Sequence, residues 1–162
     1  MSTGHPAEGV ETMARFRFRL EASLRLAEQA LEMAQRELTQ EEQIWKTLVE
    51  ACKLQQEHFN DAQEGQRDAG RHRPMELGIW QLFASEQLRR LLQCNEEERK
   101  QERIVENARH ILLEAHREVE KLERLKEKQI KAFQLAESLK EQKILDETGQ
   151  VLHWRRQIFN ST

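Results

Sequence analysis

Gly65-Gln66-Arg67-Asp68-Ala69-Gly70-Arg71-His72-Arg73-Pro74 is the stretch whose reading decides the fold. Two glycines and a proline fall in one short run, in a chain with only six glycines and two prolines. On either side the breakers vanish: Val10 to Glu64 and Ile79 to Thr148 contain neither residue. Strands need a turn every few residues, and turns recruit Gly and Pro. The two arms are instead rich in Glu, Gln, Arg, Lys, Leu and Ala, which favour helix. They read as long helices, reaching roughly 80 and 105 Å if fully helical. Gly65 suits a helix end and Pro74 a first helical position. The expected layout is helix 1 over about residues 14–64, a loop over about 65–74 and helix 2 over about 75–147. Residues 1–13 carry no periodic pattern and read as a disordered extension. Residues 149–162 read as a short amphipathic tail, either a brief helix or frayed.

Within both arms apolar residues recur at the 4-3 spacing of a coiled-coil seam. In the first arm the seam runs from Leu20, Leu24 and Ala27 to Cys52, Gln55 and Phe59. In the second it runs from Leu77, Trp80 and Ala84 through Cys94 to Phe133 and Ala136. A seam sustained over more than four heptads marks a coiled coil, and a short loop makes each helix the other's antiparallel partner. The fold class is therefore all-α, a long two-helix antiparallel coiled-coil hairpin. With the hairpin centre near Ala69, Glu41 faces Glu98 and Leu38 faces Gln101, which puts two polar stretches across from one another. In that register Cys52 and Cys94 miss each other by about seven residues. The longer second helix then overhangs the first from Leu122 to Leu145, and its apolar residues there (Leu125, Ile130, Phe133, Leu139, Ile144) leave strict heptad spacing.

Composition narrows the function classes. The chain has 162 residues, 38% hydrophobic and 34% charged, with a mean hydropathy of -0.86. That is lean for a two-layer globular core. The net charge of -3 argues against a dedicated nucleic-acid binder. No apolar run approaches the roughly 18 residues of a membrane span, and no signal sequence opens the chain. Two distant cysteines make no disulfide framework, so the reading is a soluble cytosolic protein with reduced thiols, Cys52 and Cys94 serving as small seam residues.

Chemistry-bearing patterns are few. There is no Gly-rich phosphate loop. His110 and Glu114 lie one helical turn apart, but a metal site needs more converging ligands than that, and His116 points at another angle. A two-helix hairpin also offers no deep pocket that excludes water. The expectation is no enzyme, no cofactor, no metal and no small-molecule substrate. Arg117, Lys121, Arg124, Lys126, Lys128 and Lys131 interleave with Glu118, Glu120, Glu123 and Glu127, the pattern of a solvated, salt-bridged face. Leu54, Ile79, Leu82 and Phe83 lie off the seam near the loop. They either pack beneath the loop or form a partner-binding patch. Phe16 and Phe18 alternate with Arg15, Arg17 and Arg19. They either staple onto the overhanging second helix or form an apolar, basic tip that enters a partner.

Met13-Ala14-Arg15-Phe16-Arg17-Phe18-Arg19-Leu20-Glu21 with Leu24-Arg25-Leu26-Ala27-Glu28 resembles the opening of the flagellar export protein FliJ family. Leu77-x-x-Trp80-Gln81-Leu82-Phe83 is similar to that family's aromatic motif just after the hairpin. The run Glu120 to Lys128 and the ending Glu141-Gln142-Lys143-x-x-Asp146-Glu147 fit as well. The resemblance covers about Met13 to Glu147 and implies that Met13 is the usual start, with an upstream extension before it. It implies a cytoplasmic stalk of the type III export apparatus, peripherally associated with the inner face of the membrane at the flagellar base and so serving motility and chemotaxis. Such a stalk docks into the export ATPase ring, promotes its assembly, and links it to the cytoplasmic domain of the membrane export gate and to export chaperones. By the same resemblance Trp80, Phe83 and Gln87 lie on the gate-binding stretch, together with Leu54 and His58, which stand where many members have aromatic residues. Ile79 and Leu82 belong to the same patch. Phe16, Phe18, Leu125, Ile130 and Phe133 form the ATPase-facing end. The alternatives are an injectisome stalk, an RNA-binding coiled-coil arm and a parallel homodimeric coiled coil. A nucleic-acid partner is not expected.

Overall fold

A computed structural model describes residues 15–161. The elements are α1 (Glu21–His72), a 3-10 turn (Pro74–Glu76) and α2 (Leu77–Asn160), and the described residues contain no strand. The chain belongs to the all-α class, and its two helices pair antiparallel. They contribute to two compact units. One is Ala27–Glu118 and holds the turn. The other is formed by the described residues of Met1–Leu26 and Val119–Thr162. The expected extension over residues 1–13 lies outside the described residues.

In the turn unit the seam follows the heptads. On α1 every expected seam position through Phe59 is buried or half-buried, and the stripe continues through Ala62, Gln66 and Ala69. On α2 the matching stripe begins at Leu77 and Trp80, and Val105 is its most deeply buried large side chain, 2% exposed. The expected loop over 65–74 is not a loop. α1 passes through Gly65 and Gly70 and ends at His72. The physical reason is at the next two residues. Pro74 excludes Arg73 from the helical region, and Arg73 adopts φ -142°, ψ 65° while Pro74 opens the 3-10 turn. Among the described residues no glycine has positive φ. Arg73 also fastens the turn: its guanidinium reaches Asp68 at 2.8 Å and Glu76 at 3.2 Å, and its carbonyl accepts the Glu76 N–H at 3.0 Å.

Gly65 has a packing role instead of a turning one. A Cβ there would stand 2.3 Å from the Trp80 ring, so the missing side chain is what lets the indole lie against the α1 backbone.

The later break shifts the register. Glu41 meets Gln101, not Glu98, and Gln101 Nε2 donates to the Glu41 backbone carbonyl at 3.1 Å and to its carboxylate. Gln55 Nε2 donates to Gln87 Oε1 at 2.7 Å and to the Gln87 carbonyl at 3.2 Å. Cys52 and Cys94, expected to miss one another as free thiols, stand with their Cα atoms 5.6 Å apart and are joined by a disulfide.

In the other unit, residues 15–18 have no regular secondary structure and residues 19–20 turn into α1, so the helix opens at Glu21, later than the expected residue 14. The alternation of Phe16 and Phe18 with arginines has period two, and burial follows it: Phe16 is half-buried and Phe18 buried, while Arg15 and Arg17 are exposed. Phe16 packs on Phe133 with centroids 5.7 Å apart, and Phe18 is 7% exposed with Lys126 Nζ 6.0 Å from its ring. Lys126 also pairs with Glu21 at 2.9 Å. Leu24, Val119 and Leu122 are buried between the helices. Leu122, expected to open the overhang, is thus covered. Full exposure begins at residue 138 and continues to 161, because the shifted register and the non-helical residues before α1 cover α2 further along. The expected helix end near residue 147 and the separate tail merge: α2 runs through Gly149 to Asn160.

Candidate functional site

Two apolar surfaces stand out, one in each unit. The first lies beside the turn. Heptad positions follow from the buried stripes: Cys52 and Phe59 share one seam position of α1, and Trp80 and Gln87 share one of α2. Arg109 of α2 pairs with Glu42 of α1 at 3.6 Å, which identifies one flank of the antiparallel pair. Leu54 and His58 on α1, and Ile79 and Phe83 on α2, fall on the opposite flank by the same spacing. Leu54 is 54% exposed, Ile79 72% and Phe83 47%. Leu82 faces outward, and Met75, in the turn itself, is the most exposed large apolar residue among those described. Trp80 anchors the patch from below. Half-buried over Gly65, it holds Phe83 edge-on, with centroids 5.9 Å apart and planes at 80°.

Gln87 does not belong to this surface. It is buried in the seam on Gln55, so it supports the helix pairing and cannot meet a partner directly. One turn from Phe83 the flank becomes ionic. Arg89 Nη2 donates to Glu86 at 2.7 Å and Arg90 Nε donates to it at 3.2 Å. These hydrogen bonds, Arg89's foremost, pull the Glu86 carboxyl from 4.5 down to about 2. The carboxylate thus stays charged throughout the physiological range, as a fixed polar border to the apolar patch.

The second surface belongs to α2 beyond residue 137. Ile144, Val151 and Ile158 repeat at seven-residue spacing, with Leu145, Leu152 and Trp154 beside them, all at least half exposed. The ATPase-facing residues expected from sequence are divided. Phe16 and Phe133 cover each other partly, Phe18 is buried, Ile130 is half-buried and Leu125 is 36% exposed. They form a stapled base, and the exposed stripe lies further along α2. Sequence reasoning missed Met75, and it treated residues 151–159 as an appendix, although their apolar spacing continues the helix.

Neither surface is a catalytic cleft. His110 sits 3.1 Å from Glu114, both exposed, and among the described residues no group of three His, Cys, Asp or Glu side chains is placed to hold a metal. The basic residues of α2 are partly paired, Arg124 with Glu120 at 2.6 Å and Lys131 with Glu127 at 3.3 Å. No described helix is long and apolar enough to cross a membrane.

A two-helix coiled coil with exposed apolar surfaces on each unit defines a class: a helical interaction protein. Its identity is narrower. The family model of the Flagellar FliJ protein matches residues 13–158. The chain belongs to that family and is a component of flagellar protein export; the family is structural and is not known for catalysis. No curated protein and no solved structure gives a significant match.

Proposed function

We infer that this chain is a stalk of the flagellar type III export apparatus. It docks into the export ATPase ring, promotes the ring's assembly and activity, and links it to the cytoplasmic domain of the membrane export gate and to export chaperones. It works at the inner face of the cell membrane at the flagellar base. The observation that carries this reading is the family match over residues 13–158. The two exposed apolar surfaces support it. The patch of Leu54, His58, Ile79, Leu82 and Phe83, braced by Trp80, is the gate-facing surface. Apolar side chains there gain by leaving water against a partner groove, while the Glu86 cluster limits which partners fit. The stripe around Ile144, Val151 and Ile158 is the ring-facing surface, with Phe16, Phe133, Leu125 and Ile130 at its base. The chain contributes contact and not chemistry: the energy comes from nucleotide hydrolysis by the ATPase.

Sedimentation of the purified chain, alone and with the export ATPase and nucleotide, tests this. A monomer that drives the ATPase into hexamers and raises its turnover is the expected outcome. Ile144→Asp with Ile158→Asp should abolish that effect and leave gate binding intact, and Leu82→Asp with Phe83→Ala should do the reverse. A stable dimer that leaves the ATPase unchanged would overturn the reading in favour of a structural homodimer.

A further inference from the structure

The bond between Cys52 and Cys94 lies outside both docking surfaces. It joins α1 to α2 across the seam of the turn unit, and polar layers flank it in both directions. Toward the turn lies Gln55 on Gln87; away from it, beyond Leu48 and Trp45 of α1 and Glu98 of α2, lies Gln101 on Glu41. Gln87, Cys94 and Gln101 are successive residues at one heptad position of α2. Over that length one whole row of the α2 seam therefore buries no large apolar side chain. The other row adds Leu91, which is buried, but also Glu98, a half-buried carboxylate. On α1 the same stretch holds Leu48, which is only half-buried, and Trp45, whose indole N–H is buried without a hydrogen-bond partner, which costs free energy. Packing alone holds this stretch weakly, and the covalent bond sits at its centre.

The two sulfurs differ in access. Cys52 is buried, 6% exposed, while Cys94 is half-buried. A small thiol therefore reaches the Cys94 sulfur first.

We propose that Cys52–Cys94 is a redox clasp, a thiol–disulfide exchange site that locks the helix pair of the turn unit when oxidised and lets its polar stretch open when reduced. The exchanging partner is a small dithiol or its disulfide. In reduction, one thiolate of the dithiol attacks Cys94 Sγ. The Sγ–Sγ bond breaks, Cys52 leaves as thiolate, and a mixed disulfide forms on Cys94. The second thiolate of the reductant closes on the reductant's own sulfur and releases Cys94. The cysteines gain two electrons and take up the two protons the dithiol gives up, and the reductant departs as a cyclic disulfide. Oxidation by a small-molecule disulfide runs through the same mixed disulfide in reverse. In a reducing compartment the clasp is open.

The clasp closes a loop of intermediate length, a sequence separation of 42. Loop-closure entropy for that span, spread over a chain of this size, corresponds to a Tm about 10 °C higher in the oxidised protein. The test uses the full chain, equilibrated with oxidised glutathione or with dithiothreitol. Alkylation and intact mass count the thiols, amide exchange maps the opening, and a thermal scan reads stability. The expected result is a monomer with no free thiol after oxidation and two after reduction. Amide exchange should quicken about tenfold or more over residues 41–55 and 87–101 on reduction, with the Tm falling by about 10 °C. Cys94→Ala should match the reduced protein and ignore dithiothreitol. Two free thiols persisting in oxidised glutathione would overturn the proposal, as would disulfide-linked dimers, or reduction that leaves exchange and Tm unchanged. The thiol count and exchange map on the natural chain decide the matter even where the variant does not fold.

Discussion

Substituting Gly65 by alanine sets two helix effects against each other. Inside an α-helix, alanine in place of glycine ordinarily stabilises by about 1 kcal/mol. Here the new Cβ would meet three atoms of the Trp80 ring at 2.3 to 2.7 Å, whereas ordinary contact begins at 3.4 Å. The indole is rigid, so it must move bodily by about 1 Å or swing off α1 altogether, and overpacking of this kind costs about 1–3 kcal/mol. The clash wins: Gly65→Ala should destabilise by about 1 kcal/mol net and lower Tm by roughly 3 °C. With Trp80→Ala the obstacle is gone and the same change should stabilise by about 1 kcal/mol, a coupling of about 2 kcal/mol between the two positions. Thermal unfolding of the four-protein cycle measures it. Tryptophan fluorescence should also move to longer wavelength in the single alanine variant at position 65, as the indole leaves its seat. A Gly65→Ala variant that stabilises both backgrounds alike would refute the close-approach argument.

Glu86 should titrate near pH 2, observed through its side-chain carboxyl by NMR, and Arg89→Ala should raise that value toward 4.5. Because the folded pKa is the lower one, the cluster's contribution is complete above about pH 4.5 and fades as the pH falls toward 2; an intact protein titrating at 4.5 would contradict the ion cluster. Gln101→Leu strands the half-buried Glu41 carboxylate and should cost about 1–3 kcal/mol in urea unfolding. Adding Glu41→Leu should recover that loss and more, since an apolar layer outperforms a buried polar one. Should the double variant be the weaker of the two, the layer is not the soft point described.

Much of this fold is legible in the sequence. The seam on α2 from Leu77 to Lys126 and on α1 from Leu24 to Phe59 is the one the 4-3 spacing marks. Gly65 and Gly70 read as breakers in the sequence, although helices tolerate glycine and the stripe runs across Gly65 at Ala62, Gln66 and Ala69. The informative residue was Pro74, through what it forbids Arg73. That single error displaced the register, which hid both the Cys52–Cys94 pairing and the Glu41–Gln101 layer. The start of α1 was missed for a different reason: a period of two in Phe16 and Phe18 was absorbed into a helix. The apolar residues beside the turn were visible as residues off the seam. Their common flank was not, because it depends on how two helices face each other and not on either alone. Gln87 could not be distinguished from a surface glutamine by type, only by its place in the heptad.

The exposed end of α2 has a thermodynamic consequence of its own. Residues 138–160 are helical yet exposed along their whole length, so their order rests on local propensity, and helices of that length without packing are marginal in water. Gly149 lies within that span and lowers the propensity further. A partner that seats this segment must then supply its ordering free energy as well as its contacts, and measured affinity falls below intrinsic affinity by the fraction of chains already helical. Gly149→Ala, with nothing within 4 Å of its Cβ to obstruct it, touches no partner and no neighbour. It should tighten binding about fivefold by raising that fraction alone.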